Sequence, residues 1–291
     1  MTKHPATYVA QQKHPLFANL RHADKDAMRY SSGMGRSIVI TSGKGGVGKT
    51  TVLACLAIAL SRAGKRVVCV DADITLNNLD MLLGLENGVV YDLYDVCMGS
   101  CRLRQALLRY PYCDSLYLLP SVHPLGEIDR TAFREVVSTL ADNHDFVLID
   151  CPAGIDDGFC RAACAANEAL IVTTPTPTAL RDADKVLGLL DAYKMNMVAL
   201  VVNRVRGDLV LDGEMLSVED IARILHVRVA GCIPEDDGAL CMYGELPAEG
   251  GHYEAVRMLA RYVLGAGKEV YDATAGYKGV VGKVRRLLKK V

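Results

Sequence analysis

The stretch "TSGKGGVGKTT", residues 41–51, fits the pattern G-x-x-x-x-G-K-[ST] from Gly43 to Thr50. A short apolar run, "SIVIT" (37–41), precedes it, and a helical pattern, "TVLACLAIALSRAG" (51–64), follows it. This order of strand, loop and helix is the context in which the pattern forms a phosphate-binding loop, the P-loop. Its glycines let backbone N–H groups point at a phosphate, and the helix N-terminus adds partial positive charge.

Outward from this loop, apolar runs alternate with helical patterns. Further strands are predicted at 66–71, 115–120, 146–150, 169–174, 197–203 and 228–233, with helices at 131–143, 182–194 and 217–226. Strands that are apolar on both faces and alternate with helices predict an α/β fold, a mostly parallel sheet flanked by helices on both faces. Ligands bind at the carboxyl ends of such strands.

Three segments are predicted along the chain. Residues 1–36 are polar without an apolar period, so they are predicted to be an extension that is flexible or docks on the body. Residues 37–265 form the P-loop domain, and residues 266–291 form a linker and a C-terminal amphipathic helix. No run approaches the ~20 apolar residues of a spanning helix, and the N-terminus lacks an apolar signal core, so a cytoplasmic location is expected.

The ten cysteines include no C-x-x-C pair. Cys97 and Cys101, like Cys160 and Cys164, have helical i,i+4 spacing, which is typical of a shared buried face. Buried reduced thiols are therefore expected, with a metal–thiolate site as the alternative.

Acidic residues complete the predicted site. Asp71 and Asp150 each end a predicted strand, where a carboxylate beside a P-loop holds Mg²⁺ directly or through water, together with the Thr50 hydroxyl. Lys49 can reach the β- and γ-phosphates. Asp73 lies two residues after Asp71 and is the candidate for orienting the attacking water; its alternative is a helix N-cap or an ordinary loop residue.

With these motifs in view, "KGGVGKTT" (44–51) resembles the deviant Walker A box of the MinD/ParA ATPases. The resemblance covers residues 37–291 and is specific to the MinD branch. It is carried by "VDADITLNNLDMLLGLENGVVYDLYDV", "IDCPAGID", "TTPTPTALRDADKVLGLL", "EMLSVEDIARIL" and "GCIPED". It implies ATP and Mg²⁺ as cofactors, slow ATP hydrolysis, and a homodimer that forms with ATP between two subunits.

The resemblance also implies roles for single residues. The nucleotide-binding loop would comprise Gly43, Lys44, Gly45, Gly46, Val47, Gly48, Lys49, Thr50 and Thr51. Lys44 would reach across to the partner's phosphates and act with Lys49 and Asp73 in hydrolysis; the alternative is that Lys44 contacts its own phosphates. Asn203 and Pro234 match positions that hold adenine, although both could be ordinary loop residues.

This chain departs from the family pattern at three places. Thr75 and Asn77 stand where relatives usually have Gly and Arg in the first switch. Cys151 replaces the usual small hydroxyl residue after Asp150, and an exposed thiol there would be oxidisable.

The last 14 residues, 278–291, hold six of the 33 basic residues and no acidic one. On a helix, the valines and leucines of this tail fall on one side and its lysines and arginines on the other. This pattern is typical of a helix lying in the interface of an anionic membrane. The alternatives are a helix docked on the domain and a nucleic-acid-binding helix.

The resemblance favours a peripheral ATPase on the inner face of the cell membrane that selects the division site. Its expected partners are a MinC-like division inhibitor and a topology factor such as MinE, with no specific nucleic acid. The alternatives are an FlhG-like flagellar-number ATPase, a ParA-like DNA-partition ATPase, and a scaffold that binds nucleotide without hydrolysing it.

Overall fold

The computed structural model describes residues 34–73, 78–122, 128–235, 249–279 and 282. Its strands are β1 (Arg36–Thr41), β2 (Val67–Asp71), β3 (Leu108–Arg109), β4 (Leu116–Leu119), β5 (Phe146–Asp150), β6 (Glu168–Thr173), β7 (Met197–Val205) and β8 (Val229–Pro234). Its helices are α1 (Lys49–Arg62), α2 (Leu79–Leu83), α3 (Leu93–Cys97), α4 (Leu103–Ala106), α5 (Arg130–Ala141), α6 (Asp157–Ala165), α7 (Pro177–Leu190), α8 (Gly207–Leu211), α9 (Val218–Leu225) and α10 (Gly251–Val263).

The strands form one sheet in the order β3-β4-β2-β5-β1-β6-β7-β8. All neighbouring pairs are parallel except β3 with β4, which is antiparallel. The prediction of a mostly parallel sheet is therefore confirmed. The P-loop strand β1 lies between β5 and β6, so the loops after β5 and β6 flank the P-loop at the carboxyl edge.

Helices cover both faces of the sheet, as the sequence predicts. One apolar core joins α1 and α10 to one face, and it includes Ile38 and Ile40 of β1. The other joins α5, α6, α7 and α9 to the opposite face, and it includes Val39. Because these three consecutive residues are all fully buried, β1 needs apolar side chains at every position.

One buried ion pair crosses the amino edge of the sheet. Arg36 at the start of β1 donates from Nε and Nη2 to the two carboxylate oxygens of Glu168 at the start of β6, at 2.7 and 2.5 Å. Its Nη1 donates to the carbonyl of Val263 at the end of α10. Glu168 is only 1% exposed, so its charge depends on this single guanidinium for compensation.

Eight cysteines in the described segments are free thiols: Cys69, Cys97, Cys101, Cys113, Cys151, Cys160, Cys164 and Cys232. Cys55 on α1 is disulfide-bonded, so the expectation of reduced thiols is wrong for this residue. Sequence spacing gave no sign of it, because a disulfide depends on distance in space.

Several predictions fall on residues outside the described ranges. The undescribed residues include 1–33 of the extension, Thr75 and Asn77 of the first switch, and most of the tail. The three segment boundaries therefore stay predictions. Within the ranges that the structure describes, the helices are too short or too polar to cross a bilayer.

Candidate nucleotide site

The P-loop joins the carboxyl end of β1 to the first residue of α1. Gly43 lies directly against helix α7, since a Cβ there would meet the carbonyl oxygen of Asp182 at 2.2 Å. Ser42 supports the loop on both sides: its Oγ donates to the Lys44 carbonyl at 3.0 Å, and its own carbonyl accepts from the Gly154 N–H at 3.1 Å. The loop is thus held between α7 and the loop that follows β5.

Lys49 lies at the centre of the site and is 7% exposed. Its Nζ donates to Asp150 Oδ1 at 2.6 Å and lies 3.4 Å from Thr50 Oγ1. The structure therefore brings together the predicted phosphate-binding lysine and two of the three predicted metal ligands.

The third, Asp71, lies beside Asp150, because β2 and β5 are adjacent and the two aspartates are register partners. Burial raises the pKa of Asp71 well above its usual range, and the charge of Asp150 raises it further. Burial also raises the pKa of Asp150, while the ammonium group of Lys49 opposes that rise. Two buried carboxylates thus share one cation, so the cluster is short of positive charge.

These donors fit Mg²⁺ and a nucleotide phosphate. Mg²⁺ prefers hard oxygen ligands and is usually held by one or two carboxylates together with substrate phosphates and water. Asp71, Asp150 and Thr50 provide such oxygens. Among the described residues no group of three or more His, Cys, Asp or Glu side chains could hold a metal ion.

Asp73 is buried at the same edge, with 7% of its surface exposed. Its N–H donates to Asp71 Oδ1 at 3.0 Å, so the loop after β2 is fixed to the carboxylate cluster. The role of Asp73 in orienting the attacking water stays a prediction.

Lys44 differs from Lys49 in its surroundings. Lys44, Gly45 and Gly46 are exposed, whereas Val47 and Lys49 are buried. Within the described part of the chain, no residue makes a hydrogen bond or ion pair with the Lys44 side chain. Lys44 is therefore exposed and Lys49 buried, although both belong to one loop.

The two residues matched to adenine lie at neighbouring strand ends, on β7 and β8. Asn203 is buried, and its Nδ2 donates to the Val47 carbonyl of the P-loop at 2.8 Å. Pro234 ends β8 and pairs with Val205. Sequence reasoning missed the contact between Asn203 and the P-loop, because it joins residues 156 positions apart. Adenine binding by either residue stays a prediction.

Cys151 follows Asp150 and is fully buried. Burial raises the pKa of its thiol to about 12, so the thiolate is scarce at neutral pH. Because the thiolate is the reactive form, this residue lacks the surroundings of a redox-sensitive cysteine.

The carboxylate cluster predicts a pH-dependent stability difference. Because the pKa of Asp71 is raised in the folded state, its contribution is fully present below pH 4 and is lost as pH rises through the folded pKa. We expect Asp71→Asn, without nucleotide or Mg²⁺, to melt about 2 °C or more above the wild type at pH 8 and equally at pH 4. Thermal unfolding followed by circular dichroism measures this.

Asp208→Asn is the matched control with the opposite sign. In the wild type, hydrogen bonds from Arg206 to the Asp208 carboxylate lower the pKa of Asp208. The stabilisation that this carboxylate gives the fold is therefore present above pH 4 and is lost as pH falls through the lowered pKa. This variant should melt below the wild type at pH 8. If Asp71→Asn is less stable than the wild type at pH 8, repulsion between the buried carboxylates does not destabilise the nucleotide-free fold.

Comparison with known proteins agrees with this geometry. Residues 38–243 match the CobQ/CobB/MinD/ParA nucleotide-binding domain. The septum site-determining protein MinD of Synechocystis is 41% identical over 266 residues, which span 88% of this chain and 99% of that protein.

Two solved structures are similar over most of the chain. The MinC:MinD cell division protein complex of Aquifex aeolicus contains a chain of 41% identity and TM-score 0.75, with 79% of this chain and 96% of that chain covered. MinD from Pyrococcus horikoshii in complex with Mg-ADP has 32% identity and TM-score 0.72, with the same coverages of 79% and 96%. With its P-loop, paired strand-end aspartates and parallel sheet, this chain belongs to the MinD/ParA family of nucleotide-binding P-loop proteins, in its MinD branch.

Proposed function

We propose that this chain is an ATPase that pairs with a second copy when ATP is bound, attaches to an anionic membrane through residues 278–291, and directs septum placement. The observation that carries the proposal is the contrast between two lysines of one loop. Lys49, the first residue of α1, is buried against Asp150, while Lys44, five residues earlier, is exposed.

Nucleotide binding follows from the P-loop and the carboxylates. Lys49 would exchange its contact with Asp150 for one with the β- and γ-phosphates, and Asp71, Asp150 and Thr50 would hold Mg²⁺. When bound, Mg²⁺ neutralises phosphate charge and stabilises the charge that develops during transfer. A relative from Pyrococcus horikoshii is known in complex with Mg-ADP, which supports this assignment.

Hydrolysis needs a positioned water. Asp73 lies at the same edge as the carboxylate cluster, and its backbone is fixed by Asp71. We assign it the orientation of the attacking water. The loop around Gly154, which bonds to Ser42 of the P-loop segment, would sense whether the γ-phosphate is present.

Dimerisation would complete the site. The exposed Lys44 ammonium group would reach the phosphates of the partner subunit and stabilise charge in the transition state, as an arginine finger does. Since this cation comes from the other subunit, hydrolysis is slow until two copies pair.

Pairing would also control membrane attachment. One 14-residue tail gains about 1 kcal/mol per basic residue at an anionic surface and similar amounts from its apolar side chains. Ordering the backbone opposes this by about 1 kcal/mol or more per residue. A single tail therefore binds weakly, whereas a dimer gains avidity because the second tail binds intramolecularly.

The partners follow from the branch of the family. A similar MinD chain from Aquifex aeolicus forms a complex with MinC, so a MinC-like inhibitor is the proposed partner, with a MinE-like or other topology factor. The site of action would be the cytoplasmic face of the cell membrane, where the basic tail would meet an anionic lipid surface.

Vesicle sedimentation tests the proposal. We expect the full chain to sediment with phosphatidylglycerol vesicles in ATP but not in ADP or without nucleotide, and a chain ending at Tyr277 not to sediment at all. Ile224→Asp, which removes an apolar side chain that is 54% exposed on α9, is the control and should behave as the wild type. Sedimentation that ignores nucleotide would refute the coupling, and ATP-dependent binding to DNA instead of vesicles would favour the ParA-like alternative.

A further inference from the structure

The described C-terminal segment returns to the nucleotide edge of the sheet. After α10 the chain continues to residues 271–278, here named the C-terminal strap, which ends in a 3-10 turn at Ala275–Tyr277 and in Lys278. The strap contacts the first residues of α8 and α10, the helices that follow β7 and β8 along the chain. It is also the point from which the tail leaves the domain.

The strap packs closely against two glycines. A Cβ on Gly207, the first residue of α8, would meet the carbonyl oxygen of Ala273 at 1.9 Å. A Cβ on Gly251, the first residue of α10, would meet the hydroxyl of Tyr271 at 2.6 Å and Pro234 Cγ at 3.7 Å. The strap therefore packs against backbone at the strand end that carries Pro234.

Ion pairs and hydrogen bonds fix the strap internally. Asp272 accepts from the N–H of Thr274 at 2.8 Å, from its hydroxyl at 2.5 Å, and from Lys278 Nζ at 2.7 Å. Lys278, the first residue of the tail, is thus paired with Asp272 of the strap, and both side chains are about half exposed.

The end of β7 connects the strap contact at Gly207 to the P-loop. Asn203 donates to Val47 of the P-loop, and the next residue, Arg204, has a left-handed φ of 57° at a break in the register with β8. Arg206 pairs with Asp208 on α8 at 2.5 Å. The hydrogen bond with Asp208 is the largest cause that raises the pKa of the Arg206 guanidinium. The nearby groups of Glu235 and Tyr277 raise this pKa further.

We infer that Gly207 is a positioning residue for the nucleotide site, and that the strap links nucleotide affinity to the position of the tail root within one subunit. The inference rests on the proposed function and adds to it a path that needs no dimer. Since linkage is reciprocal, a tail held at a surface would change nucleotide affinity by the same factor by which nucleotide changes tail affinity.

The first test measures Mg-ADP affinity of the full chain by equilibrium fluorescence titration with a labelled ADP. Gly207→Ala should weaken binding by about fivefold or more, the lower end of usual coupling factors. Gly188→Ala, in α7 with no atom within 4 Å of the added Cβ, is the control and should stay within about twofold of the wild type. Equal affinities in both variants would overturn the inference.

A second measurement separates linkage from a merely structural role. Hydrogen exchange in peptides covering 271–278 should slow when Mg-ADP binds the wild type, and this response should be absent in Gly207→Ala. If Gly207→Ala does not melt cooperatively, Asp272→Ala replaces it, with the same expected direction. Strap exchange that ignores ADP would refute the inference and leave the proposed function standing, while a wild-type chain that binds no nucleotide would refute both.

Discussion

Lys44→Ala is expected to bind Mg-ADP nearly as well as the wild type. It should hydrolyse ATP more slowly than the wild type by about 10³-fold or a larger factor, because it loses a cation supplied in trans. The physical reason is that Lys44 is exposed, whereas Lys49 is buried against Asp150 and is the lysine that we propose binds the chain's own phosphates. Steady-state phosphate release and light scattering in ATP measure the change. Lys49→Ala should instead lose nucleotide binding itself.

Lys268→Ala, which removes another exposed lysine, is the matched control and should leave turnover and pairing unchanged. If Lys44→Ala weakens ADP binding as strongly as Lys49→Ala does, then Lys44 contacts its own phosphates, which is the alternative that the sequence left open. If Lys44→Ala hydrolyses ATP at the wild-type rate, the trans role is wrong.

The second large effect concerns stability. Arg36→Met is expected to lower the free energy of unfolding by about 3–5 kcal/mol, because it leaves the fully buried Glu168 without its cation. The loss also removes the hydrogen bond to Val263 and the contact of the guanidinium with the Phe146 ring, at 5.2 Å from its centroid. Urea unfolding followed by far-UV circular dichroism measures it.

The double variant Arg36→Met/Glu168→Met should recover most of this loss, since two apolar side chains of similar length need no charge compensation. Arg66→Met is the control: its ion pair with Asp145 is 58% and 36% exposed, so its removal should cost less than about 1 kcal/mol. A double variant as unstable as Arg36→Met would show that packing, not the unpaired charge, causes the loss.

The strands could be predicted because each is apolar at successive positions. The run "FVLID" matches β5 at Phe146–Asp150, and the predicted helix at 131–143 differs from α5 by only a few residues. β3 was missed, because two residues carry no period. The sequence reading also left out α10, although its apolar face packs on α1.

The candidate site divides in the same way. Lys49, Thr50, Asp71 and Asp150 could be found from sequence, because each occupies a fixed place in a motif or at a strand end. Their interactions could not: the register that sets Asp71 beside Asp150, and the contact of Lys49 with Asp150, depend on β2 and β5 being neighbours. The strap contact at Gly207 depends in the same way on the distance between remote segments.

Local physical rules were thus sufficient for the parts of this protein whose residues are close in sequence: the glycine-rich loop, the apolar strands and the helices between them. The arrangement of charges was decided by the tertiary structure, because burial and strand neighbours set which carboxylate meets Lys49 and which lysine stays exposed. The electrostatic energy of a charge depends on its distance to other charges and to water, and only the folded chain fixes those distances.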